Sequence, residues 1–74
     1  MIYICSPFKG DTEHNIEQAR QYCRKIAKTG RIPFAPHLYF PQFLDDAESK
    51  EREQGIDYAL KMMWFCSEVY VFGI

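Results

Sequence analysis

The residues best suited to chemistry stand together in one short loop, Ser6-Pro7-Phe8-Lys9-Gly10-Asp11. It follows the apolar run Ile2-Tyr3-Ile4-Cys5 and precedes a helical pattern. In an open α/β sheet, ligands bind outside the carboxyl ends of the strands, where backbone N–H groups and a helix N-terminus face outward together. There Lys9 offers a positive charge and Ser6 a hydroxyl, while Gly10 and the first amides of the helix offer a cradle for a phosphate or another polar group. Each residue also has a plainer use: Lys9 as a solvated loop lysine, Gly10 as a positive-φ position, Asp11 as a helix cap.

His37, directly after Pro36, is the candidate general acid/base or hydrogen-bond donor. Two readings stand for it: contact with a ligand, or a backbone hydrogen bond that fixes the following segment. The acidic run Asp45, Asp46, Glu48, Glu51 and Glu53 reads first as a solvated helix start that complements the helix dipole. Its sharper use has Asp45 or Asp46 folding over the site to accept bonds from ribose hydroxyls. Asp57 stands beside an apolar stripe, on the helix flank or within reach of the pocket.

These residues need a scaffold, and the chain supplies one in alternating elements. Ile2 to Cys5 is short, apolar and partly β-branched, as in a strand buried on both faces. From Glu13 to Thr29, Ile16, Ala19, Cys23 and Ile26 recur at helical spacing, with Thr12 or Asp11 as cap and Gly30 at the C′ position. Arg31 to Ala35 reads as a second strand, confined to a sheet edge because Pro33 cannot donate to a ladder. Pro36 to Ser49, with two prolines and Tyr39, Phe40 and Phe43, reads as a structured loop acting as a lid, in which Tyr39, Phe40, Asp45 and Asp46 are the covering residues.

Ser49 then caps a second helix with an apolar face of Ile56, Leu60, Met63 and Trp64, ending near Cys66. Glu68 to Gly73 is a third strand. Right-handed crossovers give a three-stranded parallel sheet in the order 2-1-3 with two helices, a truncated Rossmann- or flavodoxin-like three-layer α/β domain spanning residues 1–74. The carboxyl ends of its strands converge at Ser6 to Asp11, at Pro36-His37 and at Gly73, which together form the expected pocket floor.

A net charge of -1 argues against a nucleic-acid partner, which would need clustered basic residues. No apolar run approaches the roughly 18 residues of a membrane span and no secretory signal opens the chain, so a soluble, cytoplasmic protein without membrane contact is expected. Cys5, Cys23 and Cys66 are odd in number and lack CxxC or Cys/His spacing. They read as reduced core thiols, with neither a disulfide framework nor a metal site, and no cofactor is expected. Aromatic residues exceed what so small a core can enclose; some should line a pocket or a subunit interface.

Taken in order, Ile4-Cys5-Ser6-Pro7-Phe8-Lys9-Gly10-Asp11, Asn15-Ile16, Pro36-His37 and Cys66-Ser67-Glu68-Val69-Tyr70-Val71-Phe72-Gly73 resemble the nucleoside 2-deoxyribosyltransferase-like superfamily, in particular its small bacterial and phage domains. The resemblance spans Ile2 to Gly73. It implies a parallel α/β sheet, homo-oligomers with sites near subunit boundaries, and N-glycosidic bond cleavage in deoxynucleosides or their monophosphates. By resemblance, Ser6, Phe8, Lys9 and Gly10 contact the nucleoside or its phosphate. The family's nucleophilic glutamate lies after the third strand in a Ser-x-Gly-Met-x-x-Glu segment, which residues 1–74 do not contain, and Ser67 stands where an aspartate is common. No catalytic residue is therefore assigned.

The expected function is binding of a nucleoside or nucleotide without turnover, with ligand contacts from Ser6 to Asp11, His37 and Gly73. A deoxyribosyl transferase or N-glycosidase completed by further sequence or another subunit is one alternative. A small phage-type anti-defence protein with a host protein partner is the other.

Overall fold

A computed structural model describes residues 1–73. The elements run β1 (Ile2–Cys5), α1 (Thr12–Lys28), β2 (Pro33–Phe34), α2 (Pro36–Tyr39), a 3-10 turn (Phe40–Gln42), α3 (Ser49–Met63) and β3 (Glu68–Val71). The three strands form one parallel sheet in the order β2-β1-β3, so the expected α/β topology is the observed one. Ile2 pairs with Pro33 on one side and Glu68 on the other, and Cys5 with Val71.

β1 is central, and its Ile2, Tyr3 and Ile4 are all buried. Side chains alternate across a strand, so Ile2 and Ile4 share one face and Tyr3 takes the other. On the first face the core gathers Ile26, Tyr22 and Cys23 from α1, Ala35 and Leu38 from around α2, and Tyr70 and Phe72 at β3. The Cys23 thiol is pushed up in pKa by burial, which keeps it a protonated, inert core group.

α1 forms where its pattern predicts. Asp11 caps it by accepting from the His14 amide at 3.2 Å, and Gly30 follows its end at φ +85°. β2 is shorter than expected, two residues against five, because Pro33 interrupts the donors and only Ile2 N to Ile32 O, 2.7 Å, extends the pairing. Arg31 then ties the amino end of the sheet together by donating to Glu68 and to the Tyr70 hydroxyl.

Two expectations fail. The lid segment, expected as a structured loop, is helical in part: Pro36 opens α2 and Pro41 lies in the 3-10 turn, giving three helices where two were expected. Proline is tolerated in a first turn, whose N–H groups have no intrahelical partner.

α3 is also rotated from its predicted setting and capped by Glu48, not Ser49. Of the stripe predicted to be inward, Ile56 is 52% exposed, Leu60 55% and Trp64 88%. The half-buried side runs instead through Glu51, Gly55, Ala59 and Met62. Gly55 faces Leu44 of the lid, where an added Cβ would make an ordinary contact of 3.6 Å with the Leu44 methyl.

Candidate functional site

The first loop and the lid meet on the α3 side of the sheet. Phe8 packs its ring against His37 with centroids 5.1 Å apart, and Lys9 Nζ stands 3.6 Å from Asp46 Oδ2. Asn15, one turn into α1, donates its side-chain amide to the carbonyls of Phe8 and Lys9 at 3.1 and 3.0 Å. These two bonds hold the loop in place although it has no regular structure.

Between them lies a cavity of about 90 Å³, to which Phe8, His37, Phe40, Asp46, Glu51 and Arg52 contribute. A shallower groove of about 490 Å³ adjoins it, sharing Phe8, Pro41, Leu44, Asp46 and Glu51, with Phe43 and Asp45 also along it. Small-molecule sites usually enclose roughly 300–1,000 Å³, so the cavity alone has room for no more than one moiety of such a molecule. Desolvation lowers the His37 pKa below its ordinary value, opposed by a hydrogen bond with the Ser6 backbone and by the charge of Asp46. The ring is therefore neutral at pH 7 and available as donor or acceptor at the cavity wall.

Of the residues predicted from sequence, Phe8, Lys9, His37, Phe40 and Asp46 come together here. The others have different surroundings. Ser6 lies beneath the loop, 5% exposed, with no hydrogen-bond partner for its Oγ, and does not line the cavity. Pro7 packs against Gly73, where an added Cβ would lie 3.2 Å from Pro7 Cδ. Gly73, at φ +72°, is thus a point of close approach and not part of the pocket floor.

Gly10, at φ +96°, permits the left-handed turn into α1, and the Thr12 amide donates back to its carbonyl at 3.0 Å. Asp11 spends its carboxylate on the cap, and Asp45 accepts from the Ala47 amide at 2.9 Å within its own loop. Tyr39 faces away from the cavity, into a separate cleft with Phe34 and Tyr58. Asp57 pairs with Lys61 at 2.9 Å on the outer flank of α3.

The expected anion cradle is consequently neutralised. Asp11 already places a carboxylate at the α1 N-terminus, and Lys9 faces Asp46. What remains at the cavity is an aromatic wall, a neutral imidazole, two carboxylates and the Arg52 guanidinium.

Sequence reasoning missed Asn15 as the loop's clamp and Glu51 and Arg52 as cavity residues. The usable signal for Glu51 was its four-residue spacing with Gly55 and Ala59, which puts the three on one side of the helix. Among the described residues no group of three or more His, Cys, Asp or Glu is arranged to hold a metal, and no helix is long and apolar enough to cross a membrane.

The fold and site define a small parallel α/β domain with a mixed aromatic and polar cavity at the carboxyl end of its sheet. Within that class, the chain belongs to the family described as Domain of unknown function (DUF7768), whose model matches residues 1–74. No curated protein and no solved structure matches it.

Proposed function

We propose that the domain binds a nucleoside, with the base against Phe8 and His37 and the sugar hydroxyls on Asp46 and Glu51. The observation that carries this reading is the Phe8–His37 ring pair set beside two carboxylates in one cavity. Rings offer a stacking surface to any base, worth about 1–3 kcal/mol in comparable sites, and carboxylates accept from hydroxyls. Neutralisation of the α1 N-terminus and of Lys9 favours the nucleoside over its phosphates. The resemblance of the first loop to deoxyribosyltransferase-like proteins supports the same ligand class.

Calorimetry with deoxynucleosides and their 5′-monophosphates, run beside chromatography for released base, tests it. Saturable binding that weakens on adding phosphate, abolished by Phe8→Ala, is the expected result, with no base released. No heat with any nucleoside would end the reading.

Glu51 supports a second reading, glycosyl transfer, because its carboxylate stands in the cavity where a nucleophile could act. Base release lost in Glu51→Gln would establish that reading in place of simple binding. The proposal includes a homo-oligomer, since Trp64 and Phe65 are 88% and 73% exposed and β3 is paired on one side only. A monomer by light scattering would count against that part.

A further inference from the structure

A second cleft lies on the other side of Phe40, between β2 and α3, formed by Phe34, Tyr39, Phe40, Tyr58, Lys61 and Met62. We propose that this cleft is a binding site for an uncharged, planar heteroaromatic ring that carries a hydrogen-bond acceptor on its edge.

Four aromatic side chains converge there from four successive elements. Phe34 comes from β2, Tyr39 from α2, Phe40 from the 3-10 turn and Tyr58 from α3. Their rings are mutually braced: Tyr39 and Phe40 lie 5.2 Å apart edge to face, Phe40 and Tyr58 6.0 Å, and Phe34 and Phe40 6.2 Å. The cleft is open to solvent and offers about 420 Å³, within the range of small-molecule sites and more than the 90 Å³ of the Phe8–His37 cavity. Tyr39 is 53% and Tyr58 37% exposed, so a flat ligand meets ring surface directly.

The polar groups fix the ligand's chemistry. The Tyr58 oxygen accepts from the Gln54 amide at 2.7 Å, which leaves the hydroxyl proton to donate. The Lys61 ammonium at the rim is paired with Asp57 at 2.9 Å, which leaves the Tyr58 hydroxyl as the donor for a guest. No carboxylate lines the cleft among the described residues. A quaternary ammonium, the usual guest of an aromatic cage, would find no unpaired carboxylate there. A ring nitrogen or carbonyl instead finds the Tyr58 hydroxyl at its edge and aromatic surface at its face.

This site is independent of the nucleoside reading, since the two share Phe40 alone and that ring forms part of both linings. The probe is nicotinamide, with tetramethylammonium as the cationic comparison. The readout is the carbon-13 methyl resonance of Met62, which lines the cleft, with the buried Ala19 methyl of α1, across the sheet, as reference. Nicotinamide should shift Met62 saturably and leave Ala19 unmoved. Tyr58→Phe, which keeps the ring and removes the donor, should weaken binding about fivefold, and Tyr58→Ala should abolish it while circular dichroism stays unchanged.

The assignment is overturned if Met62 shows no saturable shift up to about 10 mM, the weak end for so small a ligand. It is also overturned if tetramethylammonium binds as well as nicotinamide, or if Tyr58→Phe binds undiminished. Nucleoside binding is followed separately at the His37 ring protons, so loss of either site is read without the other.

Discussion

On the α1 face of the sheet, Ile2 and Ile4 are 1% exposed and pack against a helix that buries Ala19 and Ile26. On the α3 face, Val69 and Val71 remain 45% and 58% exposed and the helix buries no residue fully. The same sheet is thus closed on one side and open on the other. The difference separates two tasks. Apolar burial at roughly 25 cal/mol per Å² is concentrated on the α1 side, whereas both clefts and most of the exposed aromatic surface lie on the α3 side. A small domain has little stability to spare, and segments with few buried contacts open most easily. The α3 side is therefore free to rearrange around a ligand at small cost to the fold.

The largest test of that contrast is Ile4→Ala against Leu60→Ala, both removing the same kind of aliphatic bulk. Ile4 is fully enclosed, so its truncation should cost about 2–5 kcal/mol, comparable with the whole stability of such a domain, and leave the chain largely unfolded. Leu60, 55% exposed, should change stability by no more than about 0.5 kcal/mol. Urea unfolding followed by circular dichroism measures both, and equal losses would erase the distinction between the faces.

Asn15 extends the comparison to the loop. Its two bonds to the Phe8 and Lys9 carbonyls make the loop depend on the well-packed helix, although the loop serves the open side. Asn15→Ala should cost about 1–2 kcal/mol and speed amide exchange from residues 8 to 11, with the core amides of β1 slowed or hastened only in step with global stability. Unchanged exchange in the loop would show that Pro7 against Gly73 suffices to hold it.

The sequence made one side of this asymmetry legible and hid the other. α1 was readable because its apolar period, its Asp11 cap and Gly30 all specify the same element, and the strand order followed from short connections between parallel strands. α3 was misread because Ile56, Leu60 and Trp64 form the more hydrophobic stripe. Hydrophobic patterning assumes that such a stripe is buried, while here the half-buried side carries Gly55 and Ala59.

For the site, chain order alone brings the first loop and His37 to the same end of the sheet. It could not tell Asp46, which faces Lys9, from Asp45, which turns into its own loop. Nor could it place Tyr39, since α2 rotates that side chain by a helical turn's geometry that two prolines had concealed.

His37 gives a pH signature confined to the open side. Burial lowers its pKa below 6.5, so the unfolded chain takes up a proton before the folded one does. Stability should therefore fall as pH drops below about 6.5, until the folded-state value is passed. His37→Gln should flatten the stability profile just below about pH 6.5. A profile that keeps its slope in the variant would assign the dependence elsewhere.

The smallest effect expected is that of the Lys9–Asp46 pair, and its smallness is informative. The two side chains are 59% and 38% exposed and 3.6 Å apart, so water and salt screen their attraction. Such pairs contribute about 0–1 kcal/mol. A double-mutant cycle with Lys9→Met and Asp46→Asn should give a coupling energy under about 0.5 kcal/mol that vanishes at high salt. Since the pair spans the first loop and the lid, a weak coupling means that the two separate readily, and the roughly 90 Å³ cavity beneath can widen when a ligand enters. A coupling well above 1 kcal/mol would instead make the pair a rigid clasp, and the cavity would then be limited to the single moiety it now admits.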